Sequence, residues 1–245
     1  NPSRTGADAG ADERPAPRRQ PPALIPLADS RRSRGFAWGT WALVAANLLV
    51  FVWELRLGAG LGSAVSRIAL SPAEALAPGP LLEIASRLPR LAAALFLHGG
   101  WLHLLGNMAF LAVFGDDVEG RLRLRRFLIL YLASGLVASA AQIALSPRST
   151  LPLIGASGAI AGVLGAFLVL FPQARLAGVL PLGCLVIPMK SRAFLFIPFW
   201  FLLQLYGALS APPGAVIEGG GGVAWYAHLA GFAAGPVLLF LLRRR

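Results

Sequence analysis

A single cysteine, Cys184, stands among 245 residues, which excludes an internal disulfide and any metal site built on several thiolates. Charge is scarce as well. Only 13% of the residues are charged, with 11 acidic side chains against 22 basic ones, where a soluble domain carries about a quarter. No internal repeat is visible, which counts against transporters built from inverted halves. The first apolar run starts too late and is too long to read as a signal peptide. What is abundant is apolar surface: 56% of the residues are hydrophobic and the mean hydropathy is +0.67, the composition of a membrane protein. A formal charge of +11 would suit nucleic acid, but the basic residues flank apolar stretches, where cytoplasmic loops carry them, so no nucleic-acid partner is expected.

Residues 1–35, rich in Pro, Arg, Ala and Asp and ending in Arg31, Arg32 and Arg34, read as a disordered cytoplasmic tail. Residues 36–245 read as one all-α, polytopic membrane domain of six helices, at about 36–55, 96–118, 127–145, 157–171, 193–209 and 223–242. Between the first two lies a connection, about 57–90, too broken by Pro and Gly to span, whose Ile68, Leu70, Leu76, Leu81, Leu82 and Ile84 suit the membrane interface. Basic and non-basic connections alternate. The tail, the second connection (Arg121, Arg123, Arg125, Arg126), the fourth (Arg175, Lys190, Arg192) and the C-terminus (Arg243, Arg244, Arg245) are basic, the third holds only Arg148, and the fifth holds no basic residue. Arg67, Arg87 and Arg90 in the first are diluted by Glu74 and Glu83. Both termini are therefore expected in the cytoplasm.

All three histidines, His98, His103 and His228, fall in or beside these helices, at a depth where ionisable groups are costly and usually functional. A membrane histidine can also serve as polar glue between helices. Helix parity places His98, His103, Asn107, Ser157 and His228 all toward the outer ends of their helices. His103 and Asn107, four residues apart, share one face. From Ser157 to Phe171 the fourth helix has 15 residues before Pro172, about 22 Å against a hydrocarbon core of ~30 Å. Its first residue then lies below the outer surface, and the irregular backbone of 151–156 must be buried in protein or line a wet cavity.

Ser157 at a helix N-terminus gains free N–H groups and the positive dipole end, which favour a developing oxyanion; an N-cap alone would also account for a lone serine. Gly158 and Gly162, and Gly231 and Gly235, form small-xxx-small pairs that let two helices approach closely. His228, three residues before Gly231, would then reach the Ser157 hydroxyl and activate it as a nucleophile. No Asp or Glu is expected to face this level from the outer half of any helix, so the pattern is a Ser–His dyad without a carboxylate.

The blocks "HGGWLHLLGNMAF" (98–110), "FGDDVEGRLRLRRFLILYLASG" (114–135), "GASGAIAGVLGAF" (155–167) and "AWYAHLAGFAAG" (224–235) resemble, in order, the rhomboid intramembrane serine proteases. The resemblance implies a six-helix bundle in which Ser157 attacks a peptide bond and His228 is the general base. It implies an oxyanion held by the Ser157 N–H, His103 and Asn107, with His98 near the entrance counted among the oxyanion-stabilising residues, and a cytoplasmic polar network at Glu119 and Arg121. The implied substrate is a single-pass membrane protein cleaved near its outer membrane boundary; the implied setting is a bacterial inner (plasma) membrane with the site opening to the extracytoplasmic side. No cofactor or metal is implied. Two family features are missing: a Trp-Arg pair in the first connection, where only Arg87 and Arg90 stand, and a Tyr four residues after the serine, where Ala161 stands. Two other classes compete: an inactive rhomboid-like protein that binds transmembrane helices, and a transporter or three-histidine zinc site. The aromatic run Phe194, Phe196, Phe199, Trp200, Phe201 on the fifth helix suits either a lateral gate or plain lipid-facing surface.

Overall fold

The computed structural model describes residues 25–29, 36–182, 185–210 and 224–243. Cys184, Arg31, Arg32, Arg34, Arg244 and Arg245 lie outside them, as does most of the expected tail. The described chain is mainly helical: α1 (Trp38–Leu57), α2 (Leu61–Ile68), α3 (Pro72–Leu76), α4 (Leu81–Ala94), α5 (Trp101–Leu122), α6 (Leu124–Leu145), α7 (Ser157–Leu170), α8 (Ala193–Ser210) and α9 (Trp225–Arg243).

Among the described residues, four helical stretches are long and apolar enough to cross a membrane: Trp38–Leu76, Leu124–Leu145, Ala193–Ser210 and Trp225–Arg243. Helix α5 has the length, but His103, Asn107, Asp116 and Asp117 lower its hydropathy. Helix α7 is apolar and shorter, with 14 residues. It lies at the centre, packed against α5, α6 and α9, and every residue from Gly158 to Phe167 is buried. Large apolar side chains instead cover the outside, among them Leu49 at 70%, Leu209 at 78% and Phe240 at 61% exposure. Buried polar groups such as Thr40, Asn47, Glu54 and Gln204 sit inside. That inversion suits a lipid surround, where polar groups find partners only within the bundle.

Two segments depart from the all-α expectation. Strands β1 (Ile25–Asp29), β2 (Arg175–Leu182) and β3 (Leu185–Arg192) form an antiparallel sheet in that order. The β2–β3 register runs from Arg175 opposite Arg192 to Leu182 opposite Leu185. Part of the expected disordered tail is thus an ordered edge strand. Pro26 lies on edge strand β1 and Pro188 on edge strand β3, the positions in a sheet where proline is tolerated.

The first connection, expected to lie in the interface without spanning, is folded into α2, α3 and α4. Ser71 and Glu74 close a capping box on α3. Arg87 donates to the Ala75 carbonyl at 3.0 Å, and Arg90 donates to those of Ser66 and Ala69 at 2.9 and 2.6 Å. These two arginines fasten the connection without a tryptophan partner. At the opposite end of the bundle the Glu119 carboxylate accepts from the Gly39 and Thr40 N–H groups at 2.8 and 2.7 Å and from the Thr40 hydroxyl at 2.9 Å. An anion on the open N–H groups of a helix start is favourable, so Glu119 pins α1 to α5, while Arg121 is exposed.

Candidate active site

The polar residues singled out in the sequence gather at one end of the bundle, where α5, α7 and α9 begin and α1 ends. The approach to α7 is irregular and held by backbone bonds: the Leu153 N–H donates to Leu70 O at 2.8 Å, and the Gly155 N–H donates to Ala94 O at 3.0 Å. Non-helical backbone in a bundle of this kind needs such protein partners. Gly155 adopts φ +111°, and a Cβ there would stand 2.7 Å from the His103 ring, so both backbone and space require glycine. Ser157 is not the N-cap of α7. Ala156 holds that position with no side-chain cap bond, and Ser157 is the first helical residue, half-buried. Its hydroxyl is thus not committed to capping, and its N–H is among the unpaired donors of a helix start.

Glycines decide how α9 meets α7. A Cβ on Gly231 would collide with the Gly158 carbonyl, and one on Gly235 with that of Gly162. The α7 glycines serve a second contact, since a Cβ on Gly158 would stand 2.5 Å from the Ala138 methyl and one on Gly162 would collide with the Ser134 side chain, both on α6. A Cβ on Gly158 would also lie 3.8 Å from the Ala227 carbonyl. The residue after Ser157 therefore faces the residue before His228.

Hydrogen bonding fixes the protons on two imidazoles. His98 Nδ1 lies 3.2 Å from the Phe96 carbonyl, which only accepts, so Nδ1 carries the hydrogen. Nε2 then accepts from the Asn107 amide at 3.0 Å. With both ring nitrogens engaged and 3% exposure, His98 supports Asn107 and does not itself offer a donor to an oxyanion, contrary to its expected place there. Nor does it have a lone pair left for a zinc ion. The Gly99 N–H donates to His103 Nδ1 at 3.3 Å, so neutral His103 carries its hydrogen on Nε2. That atom faces Gly155, with Asn107 Nδ2 on the same side, 3.8 Å from a Cβ built there. The two donors expected from α5 converge just ahead of Ser157.

Two further groups were missed. Glu54, near the C-terminal end of α1 and 2% exposed, accepts the His98 N–H at 3.1 and 3.2 Å. This corrects the expectation that no carboxylate faces this level, although Glu54 holds backbone and not the His228 ring. Gln204 on α8 places Oε1 2.8 Å from His228 Nδ1. The ring also lies between Trp200, with centroids 6.0 Å apart, and Trp225, at 6.3 Å and 85°. These aromatics flank the imidazole where Ala161, buried within α7, offers no ring. Spacing inside one helix could not find Gln204, because it acts on another helix.

A family model described as "Rhomboid domain" matches residues 85–245. Over 79 residues, 32% of the chain, it is 39% identical to "RHOMBOID-like protein 5" of Arabidopsis thaliana, covering 26% of that protein. Over the same length it is 44% identical to "Rhomboid protease GluP" of Bacillus subtilis (strain 168), covering 15%, and 43% identical to "RHOMBOID-like protein 4" of Arabidopsis thaliana, covering 20%. The matched stretch thus spans between 15% and 26% of the length of these relatives.

Proposed function

The chain belongs to the rhomboid family, and from that premise we propose that it is an intramembrane serine endopeptidase working through Ser157 and His228. Its apolar spans make it an integral membrane protein. The observation that carries the proposal is the bond from His228 Nδ1 to Gln204 Oε1, which leaves Nε2 bare as a base beside the α7–α9 contact where Ser157 starts its helix. Nε2 takes the Ser157 hydroxyl proton as Oγ bonds to the scissile carbonyl carbon. The resulting oxyanion is met by the Ser157 N–H, His103 Nε2–H and the second Asn107 amide hydrogen. The imidazolium then gives its proton to the leaving amine as the C–N bond breaks. Water, deprotonated by the same Nε2, cleaves the acyl-serine and restores the hydroxyl.

Helices α5 and α7 complete a six-helix bundle with the four longer spans. Residues 36–245 form this membrane domain and 1–35 a cytoplasmic tail, in a bacterial inner membrane with both termini cytoplasmic. The substrate is a single-pass membrane protein cut near the outer boundary, admitted past α8, where Phe196 is buried and Phe194 and Phe199 face outward. In liposomes with such a substrate, Ser157→Ala and His228→Ala fold and do not cleave; cleavage by either variant refutes the proposal. The competing reading is a non-catalytic helix binder, since two relatives are named only as rhomboid-like. Labelling of Ser157 by a fluorophosphonate separates the two, because a structural serine does not react.

A further inference from the structure

We propose that Gln204 is a positioning residue that sets the tautomer and the aim of the His228 ring through its amide oxygen, an inference that rests on the Ser–His reading above. The direction of its amide follows from the neighbour on the other side. Gln204 Nε2 lies 3.3 Å from the Trp200 carbonyl, and a carbonyl only accepts, so the NH2 end points there and Oε1 points at His228. Oε1 also only accepts, so Nδ1 carries the hydrogen and Nε2 keeps its lone pair. Asparagine plays the corresponding part in Cys-His-Asn proteases.

The surroundings hold this geometry from both flanks. Trp200, Gln204 and Gly207 lie along one face of α8, at spacings of four and three residues. Trp200 packs beside the imidazole. A Cβ on Gly207 would stand 2.6 Å from the Trp225 ring, so α8 is pressed against the first turn of α9. From the other flank, Gln142 Oε1 on α6 accepts the Ala227 N–H at 3.2 Å. The backbone before His228 and its ring are thus each held by an amide oxygen.

An uncharged partner suits the place. Gln204 is 8% exposed, and an ionised carboxylate buried there would carry a large desolvation cost unless the imidazole were charged. Without any acceptor the buried Nδ1–H is orphaned, and the ring relieves this by moving its hydrogen to Nε2. That hydrogen would occupy the position where the Ser157 proton must go.

The test compares wild type, Gln204→Leu and Gln204→Glu in liposomes with a single-pass substrate, together with NMR of ring-15N histidine in each protein. Three histidines give three ring systems, and His98, held as Nδ1–H, is the internal reference. Leucine is expected to lower kcat by about 10- to 100-fold with KM unchanged, and to move the His228 hydrogen from Nδ1 to Nε2 while His98 stays as it is. Glutamate restores the acceptor and returns most of kcat. Its charge stabilises the imidazolium, so the acid limb of kcat/KM moves to higher pH. His103 on α5, another imidazole at this end of the bundle, is unaltered in both variants. A leucine variant with wild-type kcat, or a wild-type His228 protonated at Nε2, overturns the proposal. Should the leucine variant not fold, the wild-type spectrum and the glutamate pH profile decide alone. A wild type that cleaves nothing sinks the protease reading, and the spectrum still decides the role of Gln204.

Discussion

His98 and Asn107 are joined in series. Glu54 fixes the backbone at His98, the Phe96 carbonyl fixes its tautomer, and its bare Nε2 takes one Asn107 amide hydrogen at 3.0 Å. Only the other amide hydrogen is left for chemistry. Losing one donor to an oxyanion costs about 10²- to 10³-fold in kcat, and Asn107→Ala should fall in that range. His98→Ala keeps the amide and loses its aim, so kcat should drop less, by about tenfold, the equivalent of one hydrogen bond. Because His98 works through Asn107, the double variant should be no slower than Asn107→Ala alone. Steady-state kcat for the four proteins of this cycle is the measurement; additive losses would mean that His98 meets the substrate directly.

The junction of α7, α6 and α9 depends on side chains that are absent. The Cβ of Gly235→Ala would meet the Gly162 carbonyl, which is backbone and cannot turn aside, so α9 must shift. Overpacking of this kind costs about 1–3 kcal/mol, and His228 moves with its helix. A lower unfolding temperature and loss of cleavage are expected together. Gly62→Ala, with nothing within 4 Å of its Cβ, should change neither. The spacing of these glycines was legible in the sequence, as was the short α7, because periodicity and length are properties of one segment. Which neighbour each glycine faces was not legible: Gly162 has two open sides, and Ser134 of α6 takes one of them. The β2–β3 hairpin was missed because its apolar residues and prolines show no clean alternation. Gln204 and Glu54 were missed for a related reason: each serves a partner on a distant segment, which spacing within its own helix does not reveal.

The proposed orientation in the membrane rests on the two ends of the bundle taken together. At one end Ser157, His103 and His228 keep partial exposure above the buried His98, Asn107 and Glu54. At the other end stand exposed Arg121, Arg123, Arg125, Arg175 and Arg192, where the sheet ties β1 to the segment between α7 and α8. Moving a cluster of guanidinium groups across lipid is unfavourable, and basic loops stay cytoplasmic. In the proposed orientation the reactive end faces outward, and α2, which follows α1 at that end, goes with it. A Cys184→Ser protein with one new thiol tests this. Gly62→Cys on α2 should react in intact cells with a maleimide that cannot cross the membrane. Arg125→Cys should react only after the cells are permeabilised. The reverse pattern would turn the bundle over, place any cleavage on the cytoplasmic side and overturn the proposed orientation.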